Sequence, residues 1–393
     1  MLKYITMTKF NLSAPFKAIP DQKKAIDSLI RGVKKNFNHQ VLLGITGSGK
    51  TFTMANIIAK LHKPTLIISH NKTLAAQLYQ EFRSFFPDNS VNYFVSYYDF
   101  YQPEAYLPQT DTYIEKEAEI NENIDKLRLA ATANLLTRQD TIIVASVSSI
   151  YNLGSPLVYG KFVLELRRDM KISREAVLKR LIDLQYSRSD YDFHRGTFRL
   201  RGENLDIYPA YDEYALRLTL KDDKLRAIEK ISPLDMSFLK NIDHLTLFPA
   251  KHYMTDIRDP NTFTQIRNDL KDRIKQLNSQ GKKIESYRLE KKVSFDLEMI
   301  EEIGYVNGIE NYSRYFDNRR PGEPPFTLLD YFSQPYGKGW LLFIDESHMT
   351  VPQIRGMYNG DRSRKQTLID FGFRLPSALD NRPLTFLEFL DRI

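Results

Sequence analysis

The 393-residue chain contains no cysteine. That excludes disulfides, thiolate metal sites and thiol catalysis, and it suits a reducing compartment. Tryptophan occurs once. No apolar run approaches the ~18 residues that a membrane-spanning helix needs. The first residues, Met1-Leu-Lys-Tyr-Ile-Thr-Met-Thr-Lys9, lack the apolar stretch of a secretory leader. A cytoplasmic location is therefore expected. The formal charge is only +7, which permits a nucleic-acid partner without demanding one. Rings are abundant, with 23 tyrosines and 24 phenylalanines, so their clustering is informative. The length suggests two or three domains.

The segment Gly44-Ile45-Thr46-Gly47-Ser48-Gly49-Lys50-Thr51 has the spacing of a phosphate-binding loop. It follows the apolar run Val41-Leu42-Leu43, which predicts a strand. It enters a helix with Met54, Ile57, Ile58 and Leu61 on one face. Glycines let the loop turn its N–H groups toward a triphosphate, and the positive helix end adds to anion binding. Lys50 is placed for the β- and γ-phosphates, and the Thr51 hydroxyl for Mg²⁺. ATP and Mg²⁺ are the expected cofactors.

Further apolar strands are predicted at Pro64–Ser69, Thr141–Ser146 and Trp340–Ile344. The first leads into His70-Asn-Lys-Thr and a helix through Leu74, Leu78, Phe82 and Phe85. Such runs separated by helices predict a parallel sheet covered on both faces. Ligands of these sheets sit beyond the carboxyl ends of the strands. The last strand ends in Asp345-Glu346-Ser-His348. Asp345 would hold Mg²⁺ and Glu346 would polarise the attacking water. The bland alternative is a pair of solvated acids.

Roughly 300 residues separate Lys50 from Asp345, so much is inserted. Residues 93–116 form one insert, with rings at Tyr93, Phe94, Tyr97, Tyr98, Phe100, Tyr101, Tyr106 and Tyr113 around Pro103 and Pro108. That pattern predicts a projecting hairpin whose rings stack on bases. A tyrosine patch packed on a neighbouring domain is the competing reading. Residues 157–250 predict a small α+β module with an antiparallel sheet and a helix Ser173–Leu184. There Arg188, Arg199 and Arg201 are candidates for a partner-facing surface, or else an ordinary solvated face. Residues 251–321 predict a mainly helical insert, turning near Ser279-Gln-Gly281. The nucleotide-binding part then comprises 1–92, 117–156 and 322–393.

The chain resembles the UvrB family of bacterial nucleotide excision repair. The resemblance rests on Gly44–Thr51, His70–Leu78, Tyr97–Lys116, Val144–Gly154, Gly308–Ser313, Asp345–His348, Gly356–Arg364 and Phe371–Pro383. It implies a RecA-like α/β fold, a P-loop parallel sheet with helices on both faces, carrying the hairpin, the α+β domain and the helical insert. Gln22 then reads adenine, with Phe16 near the base. Tyr97, Tyr98, Tyr101, Glu104, Tyr106 and Lys116 match DNA-contacting hairpin positions. The 157–250 module docks UvrA through Arg188, Arg199 and Arg201. Damaged DNA is the implied substrate, and incision falls to UvrC.

The family continues past Ile393 with a second motor domain and a UvrC-binding segment. The arginines that complete the ATP site are therefore expected to be missing, and hydrolysis by this chain alone to be very slow. A non-catalytic scaffold that docks UvrA is the alternative from another class. A small-molecule P-loop kinase fits poorly, because it has no place for the hairpin or the acidic motif.

Overall fold

The computed structural model describes residues 9–252, 260–304 and 306–393. The reading of the amino terminus falls on residues 1–8, outside them. Helix α1 (Pro20–Lys34) comes first. The phosphate loop leads into α2 (Lys50–Leu61), which buries Met54, Ile57 and Ile58. Strand β1 (Thr65–Ser69) is buried throughout. Helix α3 (Lys72–Phe85) starts at Asn71, whose side chain accepts the Leu74 N–H at 2.8 Å. Strand β2 (Ser90–Phe94) follows. The ring-rich segment forms β3 (Tyr98–Gln102), β4 (Ala105–Leu107), β5 (Thr112–Ile114) and β6 (Glu117–Ile120). β3 pairs antiparallel with β6, and β4 with β5. Helix α4 (Glu122–Thr137), capped by Asn121, and strand β7 (Thr141–Ser146) return the chain to the core.

After α5 (Pro156–Lys161) and β8 (Leu164–Arg167) comes α6 (Arg174–Asp183), capped by Ser173. A six-stranded sheet then forms from β9 (Ser187–Arg188), β10 (Thr197–Arg201), β11 (Asn204–Tyr208), β12 (Ala215–Lys221), β13 (Lys224–Ile231) and β14 (Phe238–Asn241). It is antiparallel apart from β9, which runs parallel to β10. β15 (His244–Leu247) pairs with β8. Val177 and Leu181 of α6 pack on Leu205, Ile207, Leu216 and Leu218, because strand alternation turns those four to one face.

Helices α7 (Pro260–Ser279) and α8 (Lys283–Ile303) form an antiparallel pair. The reversal uses Gly281 at φ +77°, which a side chain would resist. α9 (Ser313–Phe316), α10 (Leu328–Tyr336), β16 (Leu341–Ile344), α11 (Ser347–Asp370) and α12 (Phe386–Leu390) complete the chain.

The expected parallel sheet is present, in the order β16-β1-β7-β2. One face packs on α10 and α11 through Leu66, Ile143, Leu329, Phe332 and Ile354. The other packs on α2 and α3 through Ile58, Ile67, Phe82 and Val144. Each such side chain contributes about 1.5–3 kcal/mol by leaving water.

Two expectations fail. Val41-Leu42-Leu43 forms no strand, and Val41 and Leu43 are 84% and 95% exposed. β16, at the sheet edge, pairs only with β1 among the described residues, so no ladder holds this run. Tyr93 and Phe94, read as the start of the hairpin, lie in the buried core strand β2. Tyr93 solves its hydroxyl problem by donating to the Lys72 carbonyl at 2.9 Å.

Candidate nucleotide site and aromatic hairpin

The loop before α2 turns at Gly47 and Gly49, with φ of +79° and +76°. Residues Ile45–Ser48 are exposed, leaving the loop's rim open to an anion. Lys50 donates from Nζ to the Gly44 and Ile45 carbonyls at 3.1 and 3.3 Å. The same atom lies 3.6 Å from Glu346 Oε1. Asp345 is anchored by its N–H to the Ile68 carbonyl at 2.8 Å and by Thr350 Oγ1 to its own carbonyl at 2.6 Å. Burial and then the neighbouring Glu346 charge push the Asp345 carboxyl above its usual range. Glu346 itself sits at φ +43°, a strained backbone for a residue with a Cβ. The fold thus brings together the two halves of the site that the sequence holds far apart.

Gln22 lies against the phosphate loop. Its Nε2 donates to the Ser48 carbonyl at 3.0 Å, and its Oε1 accepts from the Ile19 N–H at 3.1 Å. A Cβ on Gly49 would displace that Nε2, but it is the φ of +76° that favours glycine there. Phe16 packs edge-on against Phe52 at 4.7 Å and stays 52% exposed. The residues fit a nucleotide with a divalent cation: a loop of amides, one lysine, and the hard oxygens of Thr51 and Asp345.

The hairpin's rings divide into two sets. Tyr97, Tyr98 and Tyr101 stack in series, with centroids 4.5 and 4.7 Å apart, and Tyr101 and Phe100 are about half exposed. Tyr106 is buried instead, between Phe371 and Phe373 at 4.8 and 4.9 Å, its hydroxyl donating to Asp111 at 2.6 Å. Tyr113 stacks on Phe373 at 4.6 Å and donates to Glu104 at 2.7 Å. Glu104, also buried, accepts from Arg374 Nε at 2.7 Å, while Arg364 donates to its carbonyl at 2.7 Å. Lys116 pairs with Glu310 at 2.6 Å. Burial works against that pair, yet Glu310 holds the Lys116 ammonium above its usual range, and Lys116 keeps Glu310 below its own. Tyr106, Glu104 and Lys116, expected at an open DNA surface, therefore fasten the hairpin to the body. Residue-by-residue reading missed the receiving side, Arg374, Glu310 and Phe373, because nothing local marks a residue that acts across more than 190 positions.

In the six-stranded sheet, Arg188 is exposed beside Asp190 at 3.0 Å, and Arg201 is exposed. Arg199 is buried: Asp206 binds both its Nε and Nη2 at 3.2 Å, and the Phe193 ring lies 4.4 Å from the guanidinium. A partner would reach the first two directly and the third only after rearrangement.

Residues 164–253 match the UvrB interaction domain, and 260–318 the UvrB third helical domain. Residues 16–154 match the type III restriction enzyme res subunit, a helicase-like family. UvrABC system protein B of Caldanaerobacter subterraneus is 54% identical over 390 residues, 98% of this chain and 58% of that protein. The same protein is 53% identical in Dehalococcoides mccartyi and 54% in Geobacillus kaustophilus. The chain belongs to the UvrB family. It spans about 58% of the length of these relatives. The UvrB family match covers both the module and the helical pair, and the helicase-like match covers the phosphate loop and the hairpin. No described helix is long and apolar enough to cross a membrane.

Proposed function

We propose that this chain is a cytoplasmic, ATP-dependent recognition factor for damaged DNA in nucleotide excision repair. The observation that carries the reading is the hairpin, whose Phe100 and Tyr101 rings are about half exposed with Tyr98 and Tyr97 stacked behind, while its far half is fastened to Phe371, Phe373, Arg374 and Glu310. A strand passing beneath would meet rings on one side and the body on the other, and stacking contributes about 1–3 kcal/mol per base without regard to sequence. Phosphates of ATP would be cradled by Gly44–Thr51, with Lys50 withdrawn from Glu346 to the γ-phosphate. A bound Mg²⁺, held by Thr51 and Asp345, would neutralise phosphate charge. Glu346, freed from Lys50, would orient water. UvrA would dock on the 157–250 module through Arg188 and Arg201, with Arg199 behind them. The damaged strand would then be presented to UvrC.

A UvrA-docking scaffold with little hydrolysis is the second reading. It is favoured by Arg188 and Arg201, whose exposure opens the module to a partner without any nucleotide. One experiment separates the two: phosphate release by the chain, alone and with UvrA and damaged duplex, beside nitrocellulose capture of the DNA. Nucleotide-dependent capture with slow turnover supports recognition by this chain. Partner binding without DNA capture would leave the scaffold.

A further inference from the structure

Helix α4 follows the outgoing hairpin strand β6 after one residue, Asn121, and runs beside the six-stranded module. Its first turns are gripped from two sides. On the module side, Arg195 donates from Nη1 to the Ala210 carbonyl at 2.9 Å and from Nη2 to the Glu122 carbonyl at 2.7 Å. One turn on, along the same helix face, Lys126 meets Glu213 at 2.6 Å. On the hairpin side, Asn121 donates its backbone N–H to the Tyr97 carbonyl at 2.7 Å. Its side-chain amide donates to Asp99 at 2.9 and 3.1 Å. Arg128 donates to the Val95 carbonyl at 2.6 Å, its guanidinium 3.9 Å from the Phe94 ring and 4.9 Å from that of Tyr97. Val95 to Asp99 is where the chain leaves the parallel sheet and becomes the hairpin.

We propose that α4 is a strut by which the position of the module sets the angle of the hairpin, with Arg195 and Lys126 as positioning residues. A helix is stiff along its length, so its first turn cannot move without carrying Asn121 and Arg128 along. The ion pairs alone would be a weak tie, because Glu122 and Glu213 are mostly exposed and such pairs contribute about 0–1 kcal/mol. The two carbonyl bonds of the well-covered Arg195 are directional and define one distance between module and helix. A partner that shifts the module thereby re-aims the rings at Tyr97, Tyr98 and Tyr101. The strut stands on geometry alone, while its use by a docked partner rests on the function proposed above.

Hydrogen–deuterium exchange on the 393-residue chain tests it, with Arg195→Met, Lys126→Glu and the charge-swapped Lys126→Glu/Glu213→Lys. Arg195→Met is expected to raise exchange about fivefold or more at amides 97–102 and 117–121, leaving those of 197–231 unchanged. Lys126→Glu should do so more weakly, and the swap should restore protection. Unchanged exchange at the hairpin root overturns the proposal. So does a rise that merely follows loss of protection throughout the module. The measurement uses neither partner nor DNA, so its failure leaves the repair reading intact. Failure of the parent chain to capture damaged DNA would remove that reading and leave the strut.

Discussion

Arg374 shows what one side chain does here. It is buried and reaches Glu104 at 2.7 Å and Asp296 at 3.7 Å. Asp296 keeps Lys292 at 3.0 Å, but replacing Arg374 with Met leaves the buried Glu104 carboxylate without a counter-charge, so Arg374→Met should cost about 3–5 kcal/mol, measured by urea denaturation. His252 makes the opposite point about charge. Desolvation, then Arg128, pushes its pKa from 6.5 down to about 3, while Nε2 lies 3.0 Å from Thr132 Oγ1. The unfolded chain takes up a proton below about 6.5 that the folded chain refuses. Its contribution to stability is therefore full above that value and falls as pH drops toward 3, by at most about 1.4 kcal/mol per unit. His252→Gln should flatten that part of the stability profile, read from melts between pH 4 and 8.

At the scale of elements, the hairpin is a lever with a rooted base and a fastened tip, and its tyrosines are not interchangeable. Tyr101→Ala removes a half-exposed ring. It should weaken binding of single-stranded oligonucleotide by about 1–3 kcal/mol in a fluorescence titration and leave the melting temperature near its parent value. Tyr106→Ala removes a buried ring from between Phe371 and Phe373. It should lower stability by about 3–5 kcal/mol, with any loss of DNA binding following the loosened hairpin. Equal melting temperatures for the two variants would show that Tyr106 does not anchor the tip.

At the scale of the whole molecule, the nucleotide site closes across β1, between the start of α2 and the end of β16. Anything that binds there stabilises the sheet that carries both. Nucleotide with Mg²⁺ at 100 times its dissociation constant should add about 2.7 kcal/mol and raise the melting temperature by a few degrees. Lys50→Ala should abolish that shift in differential scanning fluorimetry while leaving the unliganded melt nearly unchanged.

Much of this was legible in the sequence, for a definite reason. Parallel strands buried on both faces read as continuous apolar runs, so Thr141–Ser146 and its companions were visible. The phosphate loop is a local spacing, and so is the turn at Gly281. The antiparallel module shows its alternation, because strands such as β12 turn alternate residues to the buried face. Tertiary structure alone decided the rest. Val41–Leu43 has strand composition but forms no ladder with any described strand, and a ladder is a property of two segments. Tyr93, Tyr101 and Tyr106 are chemically identical, yet one lies in the core, one faces solvent and one clamps the tip. Only the arrival of Lys72, Phe371, Phe373 and Asp111 distinguishes them. Arg199 looks like its neighbours on paper and is buried because Asp206 stands opposite it in the β10–β11 register. Local spacing determined which chemistry this chain carries. Contacts across hundreds of residues determined which of its rings and charges are free to use it.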